Sequence, residues 1–345
     1  MSDSDLHSFP VFETRPTQEF IDRWRQHTAE TGSPETFADV STTKPKRSAA
    51  VILLSEEIRV PTPLRAGGEK VPCPLCSPSS PKFGTGRMAY FPDDRSVRFI
   101  GHRCAKHYLG DNYTDAERLF RIEAKCVEYI DLWPKLQKAL PKINDVVLRL
   151  HGRAKKLTEL RSFIDAQSPG FATFLYRDLV AKGGRILTSN TPGAKTIPVE
   201  GLGFLSEDFD PEIVALKIST ACRDVRSPLP AWKTDDGEND ASKEIMRRGK
   251  TVTSRLSELA KLRDSVEEAA GFLRIANLRH LEQWRASGFS PMSIMSFKWN
   301  GEQLQALAES YAGRFEWSIV IPKDLLTNLP TREEVEALTL ADVFN

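Results

Sequence analysis

Apolar residues recur at alternating steps of three and four between Leu119 and Leu157, which is the spacing of a heptad seam along one helix face. The seam consists of Leu119, Ile122, Cys126, Tyr129, Trp133, Leu136, Leu140, Ile143, Val147, Leu150, Ala154 and Leu157. Pro134 and Pro141 interrupt it, and a proline inside a helix removes a backbone donor and clashes with the preceding turn. We therefore expect either one bent helix or two helices, the second running from Lys142 to Ala166.

A second periodic stretch, from Ser242 to Ala286, predicts an antiparallel partner for that helix, with the pairing made within one chain. Between the two stretches, Gly and Pro residues are frequent. The region contains two strand-like pieces, Arg185–Thr188 and Thr196–Val199, and a helical piece, Pro211–Cys222. It predicts an α+β insert at the tip of a helical hairpin.

The two ends of the chain carry shorter elements. We expect a helix from Gln18 to Thr31 in a loosely attached N-terminal arm, followed by a buried strand or short helix within Ala49–Leu54. The extended runs Arg87–Phe91 and Ser96–Ile100 predict a hairpin through Pro92-Asp93-Asp94. Near the C-terminus the pattern predicts a helix over Glu302–Tyr311, a strand over Trp317–Ile321 and an acidic helix starting near Thr331.

These elements predict a mainly α protein with small α+β parts, in which a zinc-finger module precedes a long, coiled-coil-like helical hairpin carrying the insert. The expected domains are an N-terminal arm, partly disordered, the zinc-finger module, the hairpin, the insert and a C-terminal α+β segment. Their ranges are, in that order, 1–45, 46–112, 113–167 with 240–288, 168–239, and 289–345.

Composition limits the classes of partner. The 345 residues include 48 Lys and Arg against 47 Asp and Glu, so the whole chain exerts no general attraction on nucleic acid or an anionic membrane. No apolar run is long enough to span a bilayer, and the start lacks the regions of a signal peptide. Five cysteines, an odd number, favour reduced thiols over a disulfide framework. We expect a cytoplasmic protein with no membrane partner.

Two short motifs predict a metal site. Cys73-Pro74-Leu75-Cys76 places two thiols at the spacing of a tight knuckle, and Cys104-Ala105-Lys106-His107 repeats that spacing with a thiol and an imidazole. Four such ligands favour a closed, structural Zn²⁺ site formed by Cys73, Cys76, Cys104 and His107. His102 is a rival for the fourth position. Residues 73–107 resemble the treble-clef and zinc-ribbon families of zinc fingers, and this resemblance implies a structural zinc without implying a partner.

Enzymatic alternatives have less support. A zinc deaminase would need a His-x-Glu ahead of the CxxC, and only His27-Thr28-Ala29-Glu30 approximates it, with the wrong spacing. A nuclease of the HNH type could use Asp94, His102 and Asn112, although their order does not match that pattern. Another zinc-scaffolded nuclease could hold a second metal near Glu207, Asp208 and Asp210.

Basic residues form two clusters on the proposed hairpin, and an antiparallel arrangement would bring them together near the insert. They are Arg149, Arg153, Lys155, Lys156 and Arg161 on the first helix, and Lys243, Arg247, Arg248, Lys250 and Arg255 on the second. The zinc module adds Arg87, Arg95, Arg98, Arg103 and Lys106. Such clusters are typical of phosphate contacts in DNA or RNA binding, and equally of solvated helix faces.

No catalytic signature accompanies these clusters. The sequence therefore favours a non-enzymatic accessory factor that binds nucleic acid or a protein complex. The alternatives are a metal-dependent enzyme and a protein-docking scaffold that binds no nucleic acid.

Overall fold

A computed structural model of the chain describes residues 12–46, 49–325 and 327–338. The protein is mainly helical with small antiparallel sheets. It divides into two compact units, Met1–Tyr129 with Pro230–Met246 and Ile130–Leu229 with Arg247–Asn345. None of the helices in the described part of the chain combines the length and the apolar content that a bilayer-spanning helix needs.

Ahead of the long helix described below, the described residues of the first unit form a packed N-terminal helix, six strands and a short helix. They are α1 (Gln18–Thr31), β1 (Ile52–Leu53), β2 (Ile58–Arg59), β3 (Val71–Cys73), β4 (Ser77–Phe83), β5 (Thr85–Phe91), β6 (Ser96–Gly101) and α2 (His102–Leu109). β5 pairs antiparallel with β1, β2 and β6, and β3 pairs with β4. The predicted hairpin is confirmed as β5–β6, and the Ala49–Leu54 segment supplies the strand β1.

Helix α1 lies where the sequence predicts it. Thr17 caps its start by accepting a hydrogen bond from the backbone N–H of Phe20, and Gly32 ends it in the left-handed conformation at φ 66°. Its apolar face, which includes Trp24, packs into a core with the sheet residues Val97 and Phe99. The segment 12–46 is therefore part of the first unit's core, and the expectation of a loosely attached arm is wrong for these residues. Residues 1–11 of the expected arm lie outside the described residues.

A single helix, α3 (Asp111–Gln167), follows α2 and continues through Pro134 and Pro141. Of the two expected arrangements, one helix or two, the structure has the single helix, and no second helix restarts at Lys142. Burial explains the continuity, because the seam residues from Cys126 to Leu157 are all buried, so that packing outweighs the cost of two prolines.

The remaining elements are α4 (Phe171–Ala181), β7 (Arg185–Leu187), β8 (Thr196–Pro198), α5 (Pro211–Arg226), α6 (Asp240–Ser257), α7 (Leu259–Phe272), α8 (Ile275–Ala286), β9 (Met292–Trp299), β10 (Gln303–Ser310), β11 (Gly313–Val320) and α9 (Arg332–Glu336). The strand pair β7–β8 and helix α5 occur where the insert predicts them. The stretch from Ser242 to Ala286 is three helices, since the helical pattern breaks at Glu258 and again near Arg274.

The direction of packing also differs from the expected hairpin. Two contacts join α3 to the segment that leads into α6: Arg118 pairs with Glu238, and Cys126 donates to the carbonyl oxygen of Ser242. Residue numbers therefore increase in the same direction along both segments. The start of α6 therefore runs parallel to α3. The antiparallel neighbour of α3 is α5, because Trp133 and Gln137 donate to the carbonyl oxygens of Ser227 and Val225.

Strands β9, β10 and β11 form an antiparallel meander. The predicted helix over Glu302–Tyr311 is wrong, since this segment is β10, in which Leu304, Ala306 and Ala308 alternate as buried residues. The strand predicted over Trp317–Ile321 is β11, and α9 starts after its N-cap Thr331 as expected.

Side chains from neighbouring helices bond to both outer strands of the meander. The amide of Gln167 donates to the carbonyl oxygen of Ser318 at 3.0 Å and accepts from the N–H of Ser318 at 2.9 Å. On the opposite edge, the N–H of Phe297 donates to Glu282, and Arg285 donates to the carbonyl oxygen of Ser293. Each edge strand thus has bonding partners beyond the sheet itself.

Candidate metal centre

A tight turn between β3 and β4 positions the first two cysteines. Cys73 ends β3, and the N–H of Cys76 donates to the carbonyl oxygen of Cys73 at 3.3 Å. Leu75, between them, is fully buried in the core that also contains Cys73. This burial anchors the turn, so both thiols are held on one side of the first unit while Cys76 stays exposed.

The third cysteine comes from the first turn of α2. Gly101 ends β6 and precedes the helix, and a Cβ atom at this position would lie 2.9 Å from the ring of Phe83, which leaves no room for a side chain. The close approach brings the start of α2 next to the β3–β4 hairpin. Cys104, two residues into the helix, consequently faces the turn that carries Cys73 and Cys76.

The three sulfur atoms form a compact group. The Sγ atoms of Cys73, Cys76 and Cys104 all lie within 4.8 Å of one another, and those of Cys76 and Cys104 are 3.3 Å apart. In a tetrahedral site with zinc–sulfur bonds of about 2.3 Å, ligand sulfurs are separated by about 3.8 Å. The spacing therefore suits a single metal ion and is compatible with zinc.

Electrostatics favour a cation at this position. Burial raises the pKa of the Cys73 thiol, although backbone N–H groups of Gly101 and Leu75 oppose the rise. Burial also raises the pKa of Cys104 to about 12, with further contributions from the neighbouring Cys76 and Cys73. The raised pKa values favour neutral thiols at Cys73 and Cys104 at neutral pH, whereas a divalent cation would stabilise their thiolate forms.

No histidine belongs to this group in the part of the chain that the structure describes. His107 is exposed and lies three residues after Cys104 on α2, so its role as the fourth ligand stays a prediction. His102 Nδ1 is 3.2 Å from the hydroxyl of Tyr113 and 3.5 Å from a carboxylate oxygen of Glu117. These contacts give His102 other partners and argue against it as the ligand.

The residues considered for nuclease chemistry do not converge. Asp94 pairs with Arg98 at 3.0 Å, and Asn112 donates to the carbonyl oxygen of Ala49. Glu207 pairs with Arg177 and Asp210 caps α5. Among the described residues, the three cysteines form the one group of potential metal ligands. The hypothesis of a nuclease with a second metal ion finds no second group of potential metal ligands in the described residues.

Most cations of the α3 cluster are held by other side chains or carbonyl groups of the second unit. The partners are Asp145 and Glu334 for Arg149, Thr327 for Arg153, and Asp324 for Lys156, while Lys155 is exposed. Phosphate contact by the three partnered cations would first require these interactions to break. Their prediction as nucleic-acid contacts gains no support from this arrangement.

Two of the predicted contact residues are buried. Arg161 donates to the carbonyl oxygens of Phe204 and Leu205, and Arg248 donates to those of Asp224, Ser227 and Pro228 at 2.6–2.8 Å. The Arg248 guanidinium also lies 4.8 Å from the centre of the Trp133 ring. Both arginines satisfy backbone groups inside the fold, which corrects their assignment to a phosphate-binding surface.

On α6, Arg255 pairs with Glu258 at 2.8 Å, and Lys243, Arg247 and Lys250 are exposed. Arg248 therefore differs from its neighbours on the same helix. The parallel course of α3 and the start of α6 means that the two basic clusters do not meet in the way an antiparallel hairpin would require.

A third set of cations includes the five predicted on residues 87–106 and two lysines that the predicted clusters do not include. Arg103 and Lys106 are exposed on α2, while Arg87, Arg95 and Arg98 form ion pairs with acidic residues. Tyr108 joins α2 to the preceding segment, because its hydroxyl donates to the carbonyl oxygen of Pro45 at 2.9 Å.

The same contact brings two further exposed lysines to α2. Lys44 lies with Nζ 4.8 Å from the centre of the Tyr108 ring, and Lys46 is exposed beside it. We call Lys44, Lys46, Arg103 and Lys106 the α2 cationic face. Within the described residues, none of these four side chains forms an ion pair. The run of basic residues from Lys44 was the sequence signal for this face.

No protein-family model, curated protein or solved structure matches the chain. The interpretation of the site accordingly comes from its own geometry.

Proposed function

We propose that Cys73, Cys76, Cys104 and His107 hold a structural zinc ion, and that the protein binds nucleic acid through the α2 cationic face as a non-enzymatic accessory factor. The metal would fix α2 against the β3–β4 turn, and the helix would present its cations to phosphate groups. The proposal thus gives the metal a structural role and gives contact with nucleic acid to neighbouring side chains.

The ligand chemistry supports zinc. Soft thiolate ligands select zinc among the common divalent ions, and a knuckle followed by a hairpin and a helix is the order of elements in treble-clef fingers. Cys104 and His107 are three residues apart on α2, the spacing at which two side chains share one face of a helix. His107 is exposed and would complete the site if its ring turned toward the thiols.

The observation that supports nucleic-acid binding most is the difference between the cations of α2 and those of α3. The α2 cationic face is exposed and without ion pairs in the described part of the chain, whereas the α3 cations are largely engaged. Phosphate groups can therefore approach Arg103 and Lys106 without displacing an acidic side chain. Contacts of this kind position a protein on a nucleic-acid backbone and do not read its sequence.

The test is binding of the full-length, zinc-loaded protein to labelled single-stranded and duplex DNA and RNA of several sequences. Neutralising four phosphates gives a salt slope of about −3.6 on duplex DNA, so affinity should fall about 100-fold between about 50 and about 200 mM salt. The affinity should vary little with sequence. Absence of binding at low salt would overturn the nucleic-acid proposal in favour of a protein-docking scaffold, and cleavage with added Mg²⁺ would favour a nuclease.

A pair of charge-reversal variants locates the surface. Arg103→Glu with Lys106→Glu should weaken binding at least about tenfold and lower the salt slope by about two. Arg23→Glu with Arg25→Glu, on the exposed side of α1 in the same unit, makes the same change in net charge and should bind within about twofold of the natural protein. Equal losses in both variants would show that net charge alone, and not this face, drives association.

A further inference from the structure

Two of the three clustered thiols are closer to each other than zinc ligands need to be. The Sγ atoms of Cys76 and Cys104 are 3.3 Å apart, compared with about 2.05 Å in a disulfide and about 3.8 Å between sulfurs on a tetrahedral zinc ion. Cys76 belongs to the β3–β4 turn and Cys104 to the first turn of α2. A bond between them would join the same two elements that the metal joins.

Access differs among the cysteines. Cys76 is exposed and Cys104 is partly exposed, whereas Cys73 is fully buried. Cys126 and Cys222 are buried on α3 and α5, and Cys126 donates to the carbonyl oxygen of Ser242. A small oxidant can therefore reach Cys76 first, and the partly exposed Cys104 has its sulfur 3.3 Å from that of Cys76.

We propose that hydrogen peroxide converts the zinc site into a Cys76–Cys104 disulfide and releases the metal, so that the site senses oxidants. The inference rests on the proposed zinc site. Because α2 carries Arg103 and Lys106, exchange of a four-ligand metal site for a single disulfide changes how the α2 cationic face is held. We expect weaker nucleic-acid binding in the oxidised form.

The chemistry balances with peroxide as the oxidant. The Cys76 thiolate attacks one peroxide oxygen, the O–O bond breaks, and with one proton the products are a sulfenic acid and water. The Cys104 thiolate then attacks the sulfenic sulfur, the S–O bond breaks, and the departing hydroxide takes a proton to form a second water. The two sulfurs lose two electrons and peroxide gains them. Only Cys73 and His107 then remain as ligands, too few for a stable structural site.

The experiment treats full-length, zinc-loaded protein with hydrogen peroxide. Zinc released is measured with a chromogenic chelator, and disulfides are mapped by mass spectrometry of non-reduced peptides. One zinc ion should be released for each Cys76–Cys104 disulfide, and dithiothreitol with added zinc should reverse both changes. The double variant Cys126→Ala with Cys222→Ala should behave like the natural protein, since it keeps every proposed ligand.

Retention of zinc after oxidation, a disulfide that includes Cys73, or oxidation that stops at a sulfinic acid would overturn the proposal. None of these readouts contains nucleic acid, so they hold whether or not the protein binds it. The binding assay, repeated on oxidised protein, should show at least about a tenfold loss of affinity that reduction with zinc restores. A protein that purifies without metal would contradict the zinc site itself, and peptide mapping would still decide which thiols pair.

Discussion

The cations of α2 and those of α3 and α6 are the same residue types, Arg and Lys, but they differ in what surrounds them. In the first unit, Arg103 and Lys106 are exposed on a short helix that also carries Cys104, one of three cysteines that could hold a metal ion. In the second unit, Arg161 and Arg248 are buried against backbone carbonyl oxygens, and Lys156 pairs with Asp324. A basic cluster in a sequence can therefore stabilise a fold or offer a binding surface, and only the positions of acceptor groups distinguish the two uses.

Among the variants that test this comparison, removal of a proposed metal ligand should change zinc content and unfolding free energy the most. Cys73→Ser should abolish stoichiometric zinc binding and destabilise the first unit by several kcal/mol, because metal binding contributes on the order of 10 kcal/mol to folding in small zinc domains. Zinc content and urea unfolding followed by circular dichroism measure the two effects. Cys222→Ser places the same hydroxyl in the core of the second unit and should leave zinc content unchanged. Full zinc content in Cys73→Ser would refute the proposed site.

Loss of the Arg248 side chain tests whether the second unit uses its cations internally. Arg248→Ala would leave the carbonyl oxygens of Asp224, Ser227 and Pro228 without their donor, which should cost about 3–5 kcal/mol of unfolding free energy. Lys250→Ala, at an exposed position on the same helix, should change it by less than about 0.5 kcal/mol. Similar unfolding free energies for the two variants would show that the buried Arg248 contributes no more to stability than the exposed Lys250.

The pH dependence of the metal-free protein should be a smaller effect, and it arises because burial makes the thiol pKa values differ between the folded and unfolded states, whereas a solvated thiol would contribute none. The folded-state pKa values of Cys73 and Cys104 are raised by burial, that of Cys104 to about 12. Their contribution is thus present below the unfolded pKa of about 8.5 and is lost as pH rises toward about 12.

Chelator-treated protein should therefore lose stability between about pH 8.5 and about pH 12, while zinc-loaded protein, whose thiols are already ionised, should lose less. Urea unfolding of both forms at neutral and alkaline pH compares them directly, and all other titrating groups are common to both. The same pH dependence with and without metal would mean that these thiols do not ligate zinc.

The smallest effect should come from Gln167, whose amide bonds to the backbone of β11. Gln167→Ala should cost about 1–2 kcal/mol, because the N–H and carbonyl groups of Ser318 lose their partners. Gln283→Ala, on the exposed side of α8, should be close to neutral. Chemical denaturation measures both, and a neutral Gln167→Ala would show that water replaces the amide without cost.

Local signals in the sequence identify several elements correctly. Thr17 and Gly32 bound α1, and Thr331 starts α9, because capping residues act within one turn of the chain. The β5–β6 hairpin follows from two apolar runs around Pro92, where the chain must turn. Cys73, Cys76 and Cys104 come together as their spacing indicates, since a tight turn and the start of a helix determine their positions.

Other features depend on contacts distant in sequence. The segment Gln303–Ser310 is rich in Gln, Ala, Leu and Glu, which favour helix, yet its alternate residues pack as a central strand between β9 and β11. The continuity of α3 through its prolines depends on packing along its seam.

The surroundings of the cations also depend on contacts between residues that are distant in sequence. Nothing near Arg248 in the sequence reveals that its guanidinium donates to three carbonyl groups that lie 20 to 24 positions away. Likewise, the sequence does not reveal that Lys44 and Lys46 lie close to α2, where the Tyr108 hydroxyl bonds to Pro45. The cysteine group is therefore predictable from spacing, whereas the division of the cations into buried, ion-paired and exposed side chains is not.

The side chains on the two outer strands of the meander have one more consequence. An open edge strand is a template on which another copy of a chain can add a strand and begin to aggregate. Here Gln167 occupies backbone groups of β11, and Glu282 and Arg285 occupy those of β9. A fourth strand would have to displace these side chains before it could pair. They therefore protect both edges of an open, three-stranded sheet against the addition of another strand.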